Sequence, residues 1–246
     1  GNGATGTLNQ SGGSFTNTGR TYVGGRDAGG TNSGVGNYNI SGGTNTTNGS
    51  FSVGSGNLTA ATPSTLSVSG TGTLNTGTLS VAGAANDTNP GKGTGSLADT
   101  GTINVNGEFW VGQGASSVGS FTQSAGTMNV NNWVAVGRDT GTGSYNMTGG
   151  TFNKTGGGNF IVGASGPGTM AISGSSLVNV TGGITWIGEN GNGTLSLTDT
   201  AEFRTSQFVV AAGGAGVGTA NLNGGTLKTA LIDGGNGTAN VNFNGT

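Results

Sequence analysis

Nine carboxylates and seven cations carry all the charge chemistry of this chain, which has neither histidine nor cysteine. The acids are Asp27, Asp87, Asp99, Asp139, Asp199, Asp233, Glu108, Glu189 and Glu202. Acid–base catalysis needs convergent titratable groups, and a polysaccharide hydrolase or lyase needs paired carboxylates, usually with Lys or Arg beside them. These acids fall at different phases of the sequence pattern, so no pair is expected and no enzyme activity. Thiolate and imidazole metal sites are excluded by residue type. A calcium-binding β-roll needs Asp in each Gly-rich turn, and here the turns carry Asn, Gly and Ser. No cofactor and no metal are expected. Arg-Asp recurs at Arg26-Asp27 and Arg138-Asp139. Such a pair is either a small-ligand clamp or an exposed turn pair worth under ~1 kcal/mol, and the turn pair is the expectation.

What would position such residues is a repeat. A Gly or Ser followed by two alternating apolar residues starts at Gly6, Gly36, Ser64, Gly95, Gly119, Gly143, Gly168, Gly193, Gly218 and Gly237. After residue 95 the spacing settles near 25 residues, and a period of this size signals a stacked repeat. Gly makes up 57 of 246 residues and charged residues 7%. Ordinary proteins have ~7% Gly and ~25% charged residues. Without periodicity that bias would mean disorder; with it, thin and repeated burial follows. The net charge of −2 offers no basic patch for nucleic acid, and no apolar run reaches the ~20 residues of a membrane span.

Each unit reads as three short strands. The first alternates apolar and polar, as in Tyr145/Met147 and Leu195/Leu197. The second carries Phe15, Leu74, Ile103, Met128, Phe152, Leu177, Phe203 and Leu227. The third ends in Val-Gly or Ile-Gly, as at Val136-Gly137 and Ile187-Gly188. Three such strands have no second layer to bury against, so units must stack with like strands paired in parallel. One inward ladder is then Leu8, Tyr38, Leu66, Leu97, Phe121, Tyr145, Met170, Leu195, Ala220 and Ala239. The next is Gln10, Ile40, Val68, Asp99, Gln123, Met147, Ile172, Leu197, Leu222 and Val241. Gln10, Asp99 and Gln123 are misfits, open to reading as bulges or as stacked polar pairs. The expected fold is all-β: one right-handed parallel β-solenoid over 1–246, about ten coils, with loop-inserted coils over 1–94 and regular ones over 95–246. Pro63, Pro90 and Pro167 each precede a repeat start, where a turn belongs. The entropic burden of so much Gly must be offset by ladder hydrogen bonds and by stacked Asn and Thr side chains.

Phrases such as Gly218-Thr219-Ala220-Asn221-Leu222-Asn223-Gly224-Gly225-Thr226-Leu227 and Trp186-Ile187-Gly188-Glu189-Asn190-Gly191-Asn192-Gly193-Thr194-Leu195 resemble autotransporter-associated β-strand repeats and similar arrays of bacterial surface and matrix proteins. The resemblance covers essentially the whole chain. It implies a β-solenoid, secretion to the cell surface or beyond, and a structural or adhesive role.

If the last Val or Ile of the third strand points inward, its predecessor points outward. Those outward residues are Tyr22, Ser52, Ser80, Trp110, Ala135, Ile161, Trp186, Val209 and Leu231, with Trp133 on the same side. A partly apolar stripe of this kind suggests a lateral contact face, with sugar stacking on the Trp rings as the second option. Neither end shows a capping unit, so Leu8 and Phe15 at one end and Val241 and Phe243 at the other are expected assembly residues. The expected function is a secreted structural subunit of an extracellular filament or matrix, stacked head-to-tail with copies of itself. The alternatives are an adhesin and a carbohydrate-binding solenoid.

Overall fold

The computed structural model describes residues 4–25, 34–56, 62–84 and 90–244. Its 24 strands form one continuous sheet, and no helix occurs among the described residues. A regular turn consists of Thr142–Met147, Thr151–Lys154 and Phe160–Val162. These pair in parallel with Gly168–Ile172, Leu177–Val180 and Thr185–Ile187 of the next turn. The molecule is therefore a parallel β-solenoid. At three strands to a turn, the 24 strands make about eight turns of ~25 residues. Thr5–Asn17, Val35–Ser55 and Thr73–Val81 run on through corners, so the column of first strands itself holds ten rungs.

Alternation places every second side chain inside. The core is one continuous cluster from Val23 to Leu222. Within it Phe109, Phe121, Tyr145, Phe152, Phe160, Phe203 and Phe208 touch in sequence, with ring centroids 5.2–6.3 Å apart. Most of these contacts are edge-to-face, the favoured aromatic geometry.

Three details of the expected register are corrected. The fourth coil starts at Gly93, because Leu66 pairs with Gly95 and Val68 with Leu97. A Cβ on Gly95 would lie 2.4 Å from the Phe121 ring, so this glycine makes room for an aromatic. Asp99 consequently leaves the core for a turn, where its Oδ2 accepts the Gly70 N–H at 3.0 Å and Thr100 donates to the Gly70 carbonyl. Asp199 and Thr200 grip Gly174 in the same way. On the second strand Val178, not Leu177, occupies the inward column opposite Phe152 and Phe203. At the last rung Val241 lies opposite Ala220 and Phe243 opposite Leu222, two residues later than expected.

Gln10 and Gln123 prove to be members of stacked polar pairs. Tyr38 Oη donates to Gln10 Oε1 at 2.8 Å, and Tyr145 Oη to Gln123 Oε1 at 2.6 Å. The buried Asn45, standing in the Phe15 and Leu74 column, donates to Tyr38 Oη at 2.6 Å. On the outer face Asn104, Asn129 and Asn153 each donate an amide to the preceding coil's Asn at 2.8–3.0 Å. This is the side-chain ladder expected to help offset glycine entropy.

The repeat phrase owes its glycines to the third corner. Gly137 has φ +76, and a Cβ there would lie 2.2 Å from the Pro167 carbonyl of the next coil. Gly143 would place a Cβ 2.2 Å from the Val111 carbonyl of the coil before. Gly157 has open space and an ordinary φ. Gly137→Ala is therefore expected to lose about 2 kcal/mol or more, and Gly157→Ala almost nothing. Urea denaturation of the two variants checks this, with equal midpoints contradicting the close coil-to-coil corner.

Candidate functional site

The chain's three Trp residues and Arg138 converge on the outer side of the third strand, while Glu202 pairs with Arg204 and Lys228 on the second strands. The third strand's outward column runs Tyr22, Ser52, Ser80, Trp110, Ala135, Ile161, Trp186, Val209, Asp233. Leu231 pairs with Gln207 and so stands two residues away from the place expected for it. The middle of the column forms a second small core, separate from the main one. It comprises Trp110, Ala135, Ile161 and Ala164, with the half-buried Trp133 and Trp186 packed against them.

This corrects the picture of an open apolar stripe. Ala135 and Ile161 are fully buried and Trp110 is 7% exposed. The Arg138 guanidinium lies 4.3 Å from the Trp110 ring centre and 4.9 Å from that of Trp133. A planar cation over an indole face is worth ~0.5–2 kcal/mol depending on desolvation, so Arg138 helps to close the cluster. Its contact with Asp139 is a loose 3.9 Å. Asp139 instead accepts from Gln113 Nε2 at 2.6 Å. Arg26-Asp27 lies outside the described residues. Glu189 stands two coils from Arg138, where burial raises its carboxyl pKa and the Arg138 charge opposes the rise. Two buried polar atoms in the cluster, Trp110 Nε1 and Gln113 Oε1, have no hydrogen-bond partner.

Sequence reasoning passed over Lys154, although inward Phe152 two residues earlier already gave its phase. Lys154 is fully buried in the column between Val130 and Val180. Its ammonium donates to the carbonyls of Gly156 and Gly158, and to that of Gly182 at 2.6 Å. Among the described residues no carboxylate pairs with it, and burial holds its pKa at about 8 against an ordinary 10.5. No group of three or more His, Cys, Asp or Glu among the described residues is placed to hold a metal.

Together these features define a parallel β-solenoid repeat protein with one aromatic–cationic cluster on its flank. Comparison with known families, with curated proteins and with solved structures finds no match.

Two outcomes follow from this geometry. Arg138→Ala should lower stability by about 1 kcal/mol and shift tryptophan emission to the red; unchanged emission would mean the guanidinium does not cover the indoles. For Lys154, the unfolded chain holds its proton more tightly than the folded one. Stability should therefore rise with pH from about 8 towards 10.5, following the linkage rule. Tyr145, whose pKa burial pushes well above 10.0, acts oppositely once unfolded tyrosine ionises, so the rise should be clearest below pH 10. Lys154→Met should abolish it in urea titrations at successive pH values; an unaltered slope would refute the burial of this amine.

Proposed function

We propose that the chain is a secreted structural protein, a subunit of an extracellular filament or matrix in which β-solenoids stack end to end. The observation that carries this is a coil-on-coil ladder that runs unbroken through the described residues, with equivalent strands paired in parallel from Thr5–Asn17 to Thr238–Phe243. Each coil is held by contacts with its neighbours, and a parallel ladder edge is a template for a further strand of the same kind.

In the proposed assembly a second copy's Leu227, Ile232 and Val241 would continue the columns of Phe15, Thr21 and Leu8. A contact between unlike ends does not close on itself and so makes a fibre, with ~48 Å added per subunit for ten rungs at ~4.8 Å each. The resemblance to autotransporter-associated repeats supports the extracellular setting.

Electron microscopy of the purified chain tests this. Filaments should form, and blocking either end, with Leu8→Lys/Phe15→Lys or with Ile232→Lys/Phe243→Lys, should stop growth. Mixing the two blocked chains should give dimers only. Short rods of a single length from the native chain at all concentrations would reject the proposal.

A further inference from the structure

Asn48, Asn106, Asn190, Asn192, Asn223 and Asn236 each precede a glycine of the described solenoid, and all six are exposed. Asn-Gly is the dipeptide best able to react with itself. The glycine nitrogen, with no Cβ beside it to hinder approach, can attack the Asn side-chain carbonyl carbon. That attack needs the nitrogen free to lose its proton and the chain free to swing it round. Five of the six glycines have neither freedom. Gly49, Gly107, Gly191 and Gly237 donate their N–H to a carbonyl of the preceding coil at 2.7–3.3 Å. Gly193 is a rung between Gly168 and Gly218. At all five, a Cβ would lie 2.1–2.6 Å from a carbonyl oxygen of a neighbouring coil. Gly224 differs on both counts. The parallel rungs around it end at Asn223 and at Leu222, and Gly224 itself meets Thr198 through an isolated antiparallel bridge. Its φ is +113, and the nearest atom to a Cβ there would be 3.6 Å away.

We propose that Asn223-Gly224 is a self-modification site, at which the folded chain converts Asn223 to aspartate and isoaspartate with water as the co-reactant. The Gly224 nitrogen gives its proton to solvent hydroxide and bonds to the Asn223 Cγ. The Cγ–Nδ2 bond breaks, and the amide nitrogen takes a proton from water and leaves as ammonia. The cyclic imide then adds water at one of its two carbonyls. Opening on one side restores the ordinary backbone with an aspartate side chain. Opening on the other routes the backbone through the side chain as isoaspartate. No electron is gained or lost. Either product adds one negative charge beside the turn in which Asp199 holds Gly174, and the Asp199 backbone is the nearest neighbour of Gly224. Isoaspartate also lengthens the backbone by one carbon between the first strand Val217–Asn223 and the second strand Thr226–Lys228. The ladder bonds that build the solenoid thus shield five asparagines from this chemistry and leave one open to it.

Peptide mapping by mass spectrometry tests this on the full chain, held folded at mildly alkaline pH and sampled over weeks. Asn223 should lose its amide about tenfold or more faster than each of the other five, whose glycines must first open locally. The same chain unfolded in urea forms the second arm, in which the six rates should converge. Ion-exchange chromatography of the folded chain should show an acidic form growing at the Asn223 rate. That form should not appear at this rate in Asn223→Gln, whose longer side chain would have to close a larger and slower ring. A folded-state rate at Asn223 equal to or below that of any of the other five overturns the proposal. So does a lead of Asn223 that persists undiminished in urea, since it would belong to the local sequence and not to the fold.

Discussion

Coil-on-coil parallel pairing at the ladder spacing is the constraint on which everything else rests. It brings the backbone of each corner so close to the next that Gly137 and Gly143 have no room for a Cβ. It forces side chains into columns, so that burial is decided by phase rather than by local sequence. Such a Gly-rich backbone is entropically unfavourable to order. Coils with a neighbour on each side offset that with hydrogen bonds along both edges.

Apolar alternation alone does not fix register. A slip by two residues along a strand returns every side chain to the same face, and only a one-residue slip inverts it. The polar members of the core remove that ambiguity. Tyr38 reaches Gln10, Tyr145 reaches Gln123, and Asn45 reaches Tyr38; a two-residue slip would separate each pair and strand its polar atoms inside the core. Buried polar groups that are fully satisfied can specify one arrangement among near-equivalents. The Asp99 and Asp199 turns, each gripping a glycine of the preceding coil, do the same work at the corners.

The same distinction explains what could be read from the sequence. Period-two alternation, the 25-residue spacing and the terminal Val-Gly of the third strand identify strands, inward faces and stacking direction, and these features carry over to the structure. Register did not follow at Gly95 and at the last rung, because a two-residue slip leaves the pattern intact. Leu177 and Val178 are adjacent apolar residues, so hydrophobicity alone could not choose between them. The flank was legible as outward-facing but not as covered. Its closure depends on Arg138 folding back over Trp110 and Trp133, a contact between coils that no spacing rule announces. Lys154 was legible by phase and was missed because a charged residue is rarely fully buried.

The most direct measurement of the stacked architecture is a set of spin-label distances, made clean by the absence of native cysteine. Thr7, Thr94, Thr194 and Thr219 share one outward column of the first strand. Labels at Thr94/Thr194, Thr94/Thr219, Thr7/Thr194 and Thr7/Thr219 should be separated by ~19, ~24, ~34 and ~38 Å, a constant ~4.8 Å per coil. Separations that fail to grow with the number of intervening coils, or a Thr7/Thr219 distance shorter than that of Thr94/Thr194, would contradict parallel in-register stacking.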